Sequence, residues 1–159
     1  MNSRDVEAAA KRLQGNIHNV KVTSSKTFSA MSGCDLFLKC ENRQKTGSFK
    51  VRGAFNKLAR LKEEGSMRPV IASSAGNHAQ GVSYASAQLG MQATIVMPKS
   101  TPIAKVMATR GYGAEVVLAG DNYDECYEEA LRIQKERDAV FIHPFDDEDV
   151  IAGQGTIAY

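Results

Sequence analysis

Short apolar runs alternate with helical segments over most of this chain, and that alternation limits its fold more than any other feature. Four runs are predicted to be buried strands, at 70–72, 93–97, 115–118 and 140–142. Between them the apolar residues recur at helical spacing, over 79–89, over 102–110 and after Asn122, a good N-cap. Strands that alternate with helices are joined by right-handed crossovers and lie parallel. We therefore predict an α/β fold, an open parallel sheet with helices on both faces.

The two ends of the chain fit this unit less well. A helix is predicted over 4–14 with Ser3 as its N-cap, and a strand over 35–40, but neither has an obvious partner in the alternating region. After Pro144 the apolar sequence enters a helix that Tyr159 cuts in its first turn. Because the apolar face of such a helix needs partners, we expect the chain to be the front half of a larger protein.

Composition excludes several classes of function. The chain has 159 residues and a net charge of +2 from interspersed signs, which gives no electrostatic reason to bind nucleic acid. No apolar stretch approaches the roughly 20 residues of a membrane span. The histidines are scattered without metal-ligand spacing and the cysteines lack a CxxC motif, so we expect no metal site and reduced thiols in the cytoplasm. These residues are His18, His78, His143, Cys34, Cys40 and Cys126.

A lysine stands where a helix is predicted to begin. Lys50 follows the turn formers at 46–47 and precedes an apolar stripe that continues to about residue 64. The positive end of the helix dipole disfavours a further positive charge there. Gly53, one turn later, predicts that something approaches the backbone. A solvated lysine is the common alternative, but an amine beside an open helix face suits Schiff-base chemistry.

A second segment combines small and polar residues where a strand is predicted to run into a helix. It reads Ser-Ser-Ala-Gly-Asn-His over 73–78. Backbone N–H groups converge at a helix N-terminus and bind a carboxylate or phosphate. Sites in parallel sheets lie beyond the carboxyl ends of the strands, where this segment is predicted to lie. The spacing alone is equally compatible with a tight strand-to-helix turn.

Three stretches together carry a resemblance to a known family. They are K-C-E-N-R-Q-K-T-G-S-F-K-V-R-G-A over 39–54, S-A-G-N-H-A-Q-G over 74–81 and V-I-A-G-Q-G-T over 150–156. The chain resembles, over essentially its whole length, the threonine dehydratase and serine racemase branch of fold-type-II pyridoxal-phosphate enzymes, and most of all the short catabolic threonine ammonia-lyases. The resemblance implies a tryptophan synthase β-like fold, with 48–147 as the small domain and 1–47 and 148–159 as parts of the large one.

The resemblance also implies roles for individual residues. Lys50 would bind pyridoxal 5′-phosphate covalently, Phe49 would pack beside the cofactor ring, and Asn77 would donate a hydrogen bond to the ring oxygen. The backbone of Ser74, Ala75, Gly76, Asn77 and His78 would hold the substrate carboxylate. L-threonine or L-serine would lose water and yield a 2-oxo acid and ammonia. The glycine-rich phosphate cup and the metal-binding carboxylates of the family are expected beyond residue 159, so the isolated fragment is expected to be inactive.

One position favours elimination over racemisation. The racemases of this branch carry a serine in the turn before Gly-Asn, on the opposite face of the cofactor, whereas this chain has Ala75. Alanine cannot exchange a proton, so a dehydratase is favoured. Serine racemase with side elimination remains an alternative, as does a non-catalytic truncated fragment. A cysteine-synthase-type enzyme is disfavoured because its lysine motif differs.

Regulation by a purine nucleotide is also implied by the resemblance. Catabolic lyases of the family bind AMP between subunits and racemases bind ATP, and the matching positions are Lys45, Thr46, Gln80 and Tyr112. Tyr112 lies in a Gly-x-Gly turn, and a half-buried aromatic side chain is the simpler interpretation of it. The complete protein is expected to form a homodimer or homotetramer that acts on a small amino acid.

Overall fold

A four-stranded parallel sheet forms the centre of the computed structural model, which describes residues 2–159. The strands are β3 (Val70–Ser73), β4 (Ala93–Met97), β5 (Glu115–Leu118) and β6 (Val140–Phe141), in the order β5-β4-β3-β6. Val70 is in register with Ala93 on one side and with Val140 on the other. The predicted strands and the parallel sheet are confirmed.

Seven α-helices surround or flank this sheet in residues 2–159, and Glu41–Arg43 forms a short 3₁₀-helix. The α-helices are α1 (Ser3–Leu13), α2 (Lys26–Ser32), α3 (Lys50–Glu63), α4 (Asn77–Leu89), α5 (Ile103–Gly111), α6 (Tyr123–Arg137) and α7 (Glu148–Gly155). Asn122 caps α6 as predicted, since its side chain accepts a hydrogen bond from the Glu125 N–H at 3.0 Å. None of these helices combines the length and apolar character that a membrane crossing requires.

The sheet is covered on both faces because alternate residues of a strand point to opposite sides. Val70 and Ala72 join a core that includes apolar residues of α3 and α4. Ile71, between them, packs on the opposite side with Cys126, Ala130 and Ile133 of α6. The predicted placement of helices on both faces is therefore confirmed.

The N-terminal region contains elements that the sequence pattern did not predict. A two-stranded antiparallel sheet joins β1 (Val22–Ser24) to β2 (Phe37–Lys39), with α2 between them. β2 confirms the strand predicted over 35–40, whereas β1 and α2 were not predicted. β1 is exposed along its length, so it lacks the apolar periodicity from which a strand is predicted. The N-cap of α1 is Asn2, whose side chain accepts from the Arg4 N–H at 2.9 Å, so the prediction of Ser3 was wrong by one position.

The two ends of the described chain meet on α3. α1 packs against both α3 and α7, and Leu13 is buried in the same core as Val150. The expectation that the first helix lacks a partner in the alternating region was therefore wrong. α7 runs for two turns and ends at Gly155 with Thr156 as its C-cap, so the prediction of a helix cut in its first turn was also wrong.

Candidate active site

Lys50 is the first residue of α3, as the sequence predicts, and its side chain is half-buried. Its amine donates a hydrogen bond to the backbone carbonyl of Pro144 at 2.8 Å. The nitrogen also lies 5.6 Å from the centre of the Phe49 ring, a cation–π distance. Within residues 2–159 the only hydrogen-bond partner of this amine is that neutral carbonyl. The amine is therefore oriented without being neutralised by a carboxylate.

Buried polar contacts fix the start of α3. The Arg52 guanidinium makes a bidentate ion pair with Glu41, with both N–O distances at 2.8 Å and both side chains largely buried. Its third contact is the Thr156 hydroxyl oxygen at 3.1 Å. Two parallel hydrogen bonds from a planar guanidinium fix the relative orientation of the two side chains as well as pairing their charges. Arg52 thus ties the segment before Lys50 to the end of α7.

The close approach predicted at Gly53 exists, but another helix makes it. A Cβ added at Gly53 would lie 2.6 Å from the Val150 carbonyl oxygen, and one added at Gly153 would lie 2.6 Å from the Arg52 carbonyl oxygen. The two glycines therefore let α3 and α7 cross with their backbones in contact. Gly53 belongs to this helix crossing and is no sign of a ligand.

The second predicted segment lies at the carboxyl end of β3. The strand ends at Ser73, Gly76 is the N-cap residue of α4, and no side chain caps this helix. The Gly76 N–H is bonded to the Ser74 hydroxyl oxygen at 3.3 Å. Asn77 is exposed at the first position of the helix. An uncapped helix N-terminus at this edge of the sheet can accept an anion.

His78 lies inside the protein at this helix end, with only 3% of its surface exposed. Its Nε2 is 2.9 Å from the carbonyl oxygen of Ile142. Burial lowers the pKa of His78 to about 4; the positive charges of Lys50 and His143 act in the same direction, against the hydrogen bond to Ile142. The ring is therefore neutral near pH 7, and its Nδ1 has no hydrogen-bond partner among residues 2–159.

The two predicted segments are brought together at the helix starts. A Cβ added at Gly81 of α4 would lie 3.2 Å from the backbone of Lys50, so the first turn of α3 contacts the second turn of α4. Both also contact the segment 142–144, Lys50 through Pro144 and His78 through Ile142. The structure thus places the start of α3, with Phe49 and Lys50, next to α4, and the Lys50 amine and the His78 ring contact the same segment.

The predicted nucleotide positions are brought together only in part. The Tyr112 hydroxyl lies 3.5 Å from the carbonyl oxygen of Lys45, at the limit of a hydrogen bond. Thr46 is buried and its hydroxyl oxygen has no hydrogen-bond partner among residues 2–159. Gln80 is half-buried on α4, and no described side-chain contact joins it to the others.

Sequence reasoning missed two parts of the site. The Pro144 carbonyl that holds the amine carries no signal in the sequence, because every residue has a carbonyl. The Glu41–Arg52 ion pair also could not be predicted from the sequence, because opposite charges eleven positions apart in an irregular region form no recognisable pattern. Among residues 2–159 no three His, Cys, Asp or Glu side chains are grouped as metal ligands would be.

Comparisons with known proteins show what this chain is similar to. A family model described as pyridoxal-phosphate dependent enzyme matches residues 13–159. L-threonine ammonia-lyase of Thermotoga maritima is 52% identical over 153 residues, which cover 96% of this chain and 38% of the relative. The crystal structure of a T.th. threonine deaminase has a TM-score of 0.91 at 43% identity and is matched over 99% of this chain and 49% of its own.

Maize serine racemase has the same fold, with a TM-score of 0.92 at 36% identity over 97% of this chain and 47% of its own. The chain spans half or less of the length of each of these three proteins.

Proposed function

The chain belongs to the family of pyridoxal-phosphate dependent enzymes, and on that premise we propose that the protein is an ammonia-lyase for L-threonine and L-serine. The reaction would be β-elimination of water, with a 2-oxo acid and ammonia as products. The similarity to the Thermotoga maritima L-threonine ammonia-lyase supports this substrate class. The shared contact of Lys50 and His78 with the segment 142–144 is the structural observation that carries the proposal.

The residues present fit pyridoxal 5′-phosphate. The Lys50 amine is held by a carbonyl rather than an acid, the partly exposed Phe49 ring offers an aromatic surface, and Asn77 is exposed at the start of α4. When bound, the cofactor supplies an aldehyde for covalent attachment and an electron sink for the charge that develops at the substrate α-carbon.

The protein's own groups would bind the substrate and move its protons. The backbone N–H groups at the start of α4 would hold the substrate carboxylate, because no side chain of the protein caps them. Lys50 Nζ, in its neutral form, would accept the α-proton. The Pro144 carbonyl would orient that nitrogen whenever the amine is not bonded to the cofactor. Phe49 would pack beside the cofactor ring, and Asn77 would donate a hydrogen bond to the ring oxygen.

Serine racemisation is the second candidate, favoured by the fold shared with maize serine racemase. It requires a proton-exchanging group on each face of the substrate. Ala75, half-buried in the loop before α4, has no such group. Elimination needs only the lysine side, so the lyase is the better-supported reaction.

We also propose a nucleotide effector, AMP, at the surface that includes Lys45, Thr46, Gln80 and Tyr112, and a homodimer or homotetramer as the complete assembly. The contact between Tyr112 and Lys45 supports a common site for these two residues. The buried Thr46 hydroxyl oxygen, which lacks a partner in the described residues, supports a polar ligand there.

Trapping the modified lysine tests the proposed function. The intact protein is incubated with pyridoxal 5′-phosphate, reduced with borohydride and mapped by mass spectrometry, and 2-oxobutyrate formation from L-threonine is assayed. We expect the label on Lys50 and expect Lys50→Gln to lower the rate by about 10²–10⁴-fold or more. Lys62→Gln is the matched control, because Lys62 lies on the same helix and also donates to a carbonyl, that of Leu89.

Labelling of another lysine, together with activity retained by the Lys50→Gln variant, would contradict the assignment of Lys50. A protein that takes up no label and forms no 2-oxobutyrate would favour the interpretation as a non-catalytic binding fragment.

A further inference from the structure

We propose that His78 is a positioning residue for Lys50: its imidazole holds the segment 142–146 so that the Pro144 carbonyl meets the lysine amine. This inference rests on the proposed function, since it concerns the orientation of the lysine that would bind the cofactor. It assigns to the buried His78 side chain a task separate from any contact of its backbone with substrate.

The chemistry of the contact fixes the state of the ring. A carbonyl oxygen only accepts hydrogen bonds, so the nitrogen 2.9 Å from the Ile142 oxygen must carry the hydrogen. The neutral imidazole therefore has its proton on Nε2 and a bare Nδ1. A second proton would place a donor at the buried Nδ1, which has no acceptor among residues 2–159. It would also add a positive charge near Lys50 and His143.

The segment that His78 holds is fixed at few other points. β6 is an edge strand of two residues, and beyond it the Ile142 N–H is bonded to the Ile71 carbonyl at 2.8 Å. His78 engages the Ile142 carbonyl, so both backbone groups of this residue are paired. The Asp146 N–H is bonded to the Nδ1 of His143, three residues earlier, at 2.7 Å, which closes a turn around Pro144.

The carbonyl of Pro144 lies inside this turn. Proline fixes its own φ, so the direction of its carbonyl depends on its ψ, which is set by where the flanking residues of the turn are held. Lys50 Nζ meets this carbonyl at 2.8 Å. Removing the His78 hydrogen bond would leave a buried carbonyl unpaired at Ile142 and allow the turn to shift. The amine of Lys50 would then lose its fixed partner.

Two variants separate the hydrogen bond from the volume of the ring. His78→Gln keeps an N–H donor near the Nε2 position, whereas His78→Met fills similar volume without a donor. The first readout is the rate at which formaldehyde and borohydride methylate Lys50 in the intact, cofactor-free protein, relative to Lys62 in the same sample. We expect this ratio to rise about fivefold in His78→Met, because a hydrogen bond contributes about 1 kcal/mol and that free energy corresponds to this factor. In His78→Gln the ratio should stay within about twofold of its value in the unaltered protein.

The second readout is steady-state kinetics of the loaded enzyme. Loss of orientation at the proton-accepting nitrogen should lower kcat of His78→Met about fivefold with little change in KM, and His78→Gln should restore it. A role confined to general stability would lower the melting temperature without moving the Lys50 methylation ratio.

The third readout needs no variant. The ¹⁵N shifts of the His78 ring in the unaltered protein should show Nε2–H and a bare Nδ1 from pH 8 to pH 5. A ring protonated on Nδ1, or equal methylation ratios in His78→Met and the unaltered protein, would overturn the inference. The methylation ratio and the ¹⁵N shifts are independent of the proposed lyase reaction, which fails separately if the protein forms no 2-oxobutyrate.

Discussion

At the scale of single residues, the partner of the Lys50 amine is a backbone carbonyl, and this choice determines what the lysine can do. A carboxylate partner would stabilise the ammonium form of the lysine, and the ammonium form cannot react with a cofactor aldehyde. A carbonyl accepts a hydrogen bond from either the charged or the neutral amine. The adjacent buried imidazole of His78 is neutral near pH 7, so it adds no competing charge.

The lowered pKa of His78 predicts how stability depends on pH. Its folded-state pKa of about 4 lies below the ordinary value of 6.5, so the unfolded chain binds more protons between these values. The free energy of unfolding should therefore be fully retained above pH 6.5 and fall as the pH drops toward 4, by up to roughly 3 kcal/mol. Urea unfolding at several pH values measures it. In His78→Gln the free energy of unfolding should depend much less on pH over this range. An unchanged pH dependence in the variant would contradict the prediction.

A single methyl-to-hydroxymethyl change tests the choice between lyase and racemase. Ala75→Ser would place a proton-exchanging group in the loop before α4, and we expect it to raise racemisation of serine relative to elimination. Chiral chromatography of serine and a 2-oxo acid assay on the same samples give the ratio. An unchanged ratio of racemisation to elimination would count against the assignment of residue 75 to the opposite face of the cofactor from Lys50.

At the scale of elements, the crossing of α3 and α7 fixes the helix that carries Lys50. The crossing works because Gly53 and Gly153 have no side chains where the backbones touch. Charged contacts extend it: Lys57 of α3 lies 2.8 Å from Asp147 and 3.0 Å from Asp149. Burial lowers the pKa of Lys57, but the hydrogen bonds and charges of these two carboxylates outweigh it and raise the pKa overall.

Gly153→Ala should destabilise this crossing. The added methyl would lie 2.6 Å from the Arg52 carbonyl oxygen, and backbone cannot yield as a flexible side chain does. Overpacking of this kind typically costs about 1–3 kcal/mol, which denaturant unfolding of the intact protein would measure. Gly111→Ala is the matched control: nothing lies within 4 Å of its added methyl, so stability should be unchanged or slightly higher. Equal stability of both variants would refute the close crossing.

At the scale of the whole molecule, the candidate site lies where the central sheet meets the helices formed by the two ends of the described chain. β6 leaves the sheet, turns at Pro144 against Lys50 and continues into α7, which packs on α1 and α3. A movement of the sheet relative to these helices would therefore act directly on the amine.

Binding of AMP should be visible in the behaviour of the intact protein. We expect AMP to lower the apparent KM for L-threonine and to promote subunit association, measured by kinetics and by sedimentation. Tyr112→Ala should abolish the response, because it removes the ring that contacts Lys45 and packs edge-on against Tyr84. Tyr123→Ala, an exposed tyrosine on α6, is the control that should respond normally. Indifference of the unaltered protein to AMP would remove the effector from the proposal.

The sequence predicted the central sheet and its helices because their buried positions are occupied by apolar residues, in short runs for the strands and at helical spacing for the helices. The strand at 93–97 and the one at 115–118 were located to the residue. β1 and α2 were missed because their exposed residues obey no apolar period. The partner of α1 was missed for a related reason, since amphipathicity shows that a helix face is buried without showing against what.

For the candidate site, the amino-acid sequence by itself determined the chemical groups: an amine at a helix start, a small-residue loop at a strand end, and a histidine beside it. Only the tertiary structure decided their relations. The Pro144 carbonyl that holds Lys50 lies 94 positions away, and the Ile142 carbonyl that holds His78 lies 64 away. Backbone carbonyls are identical at every residue, so no pattern of side chains can show which one a fold will place beside an amine.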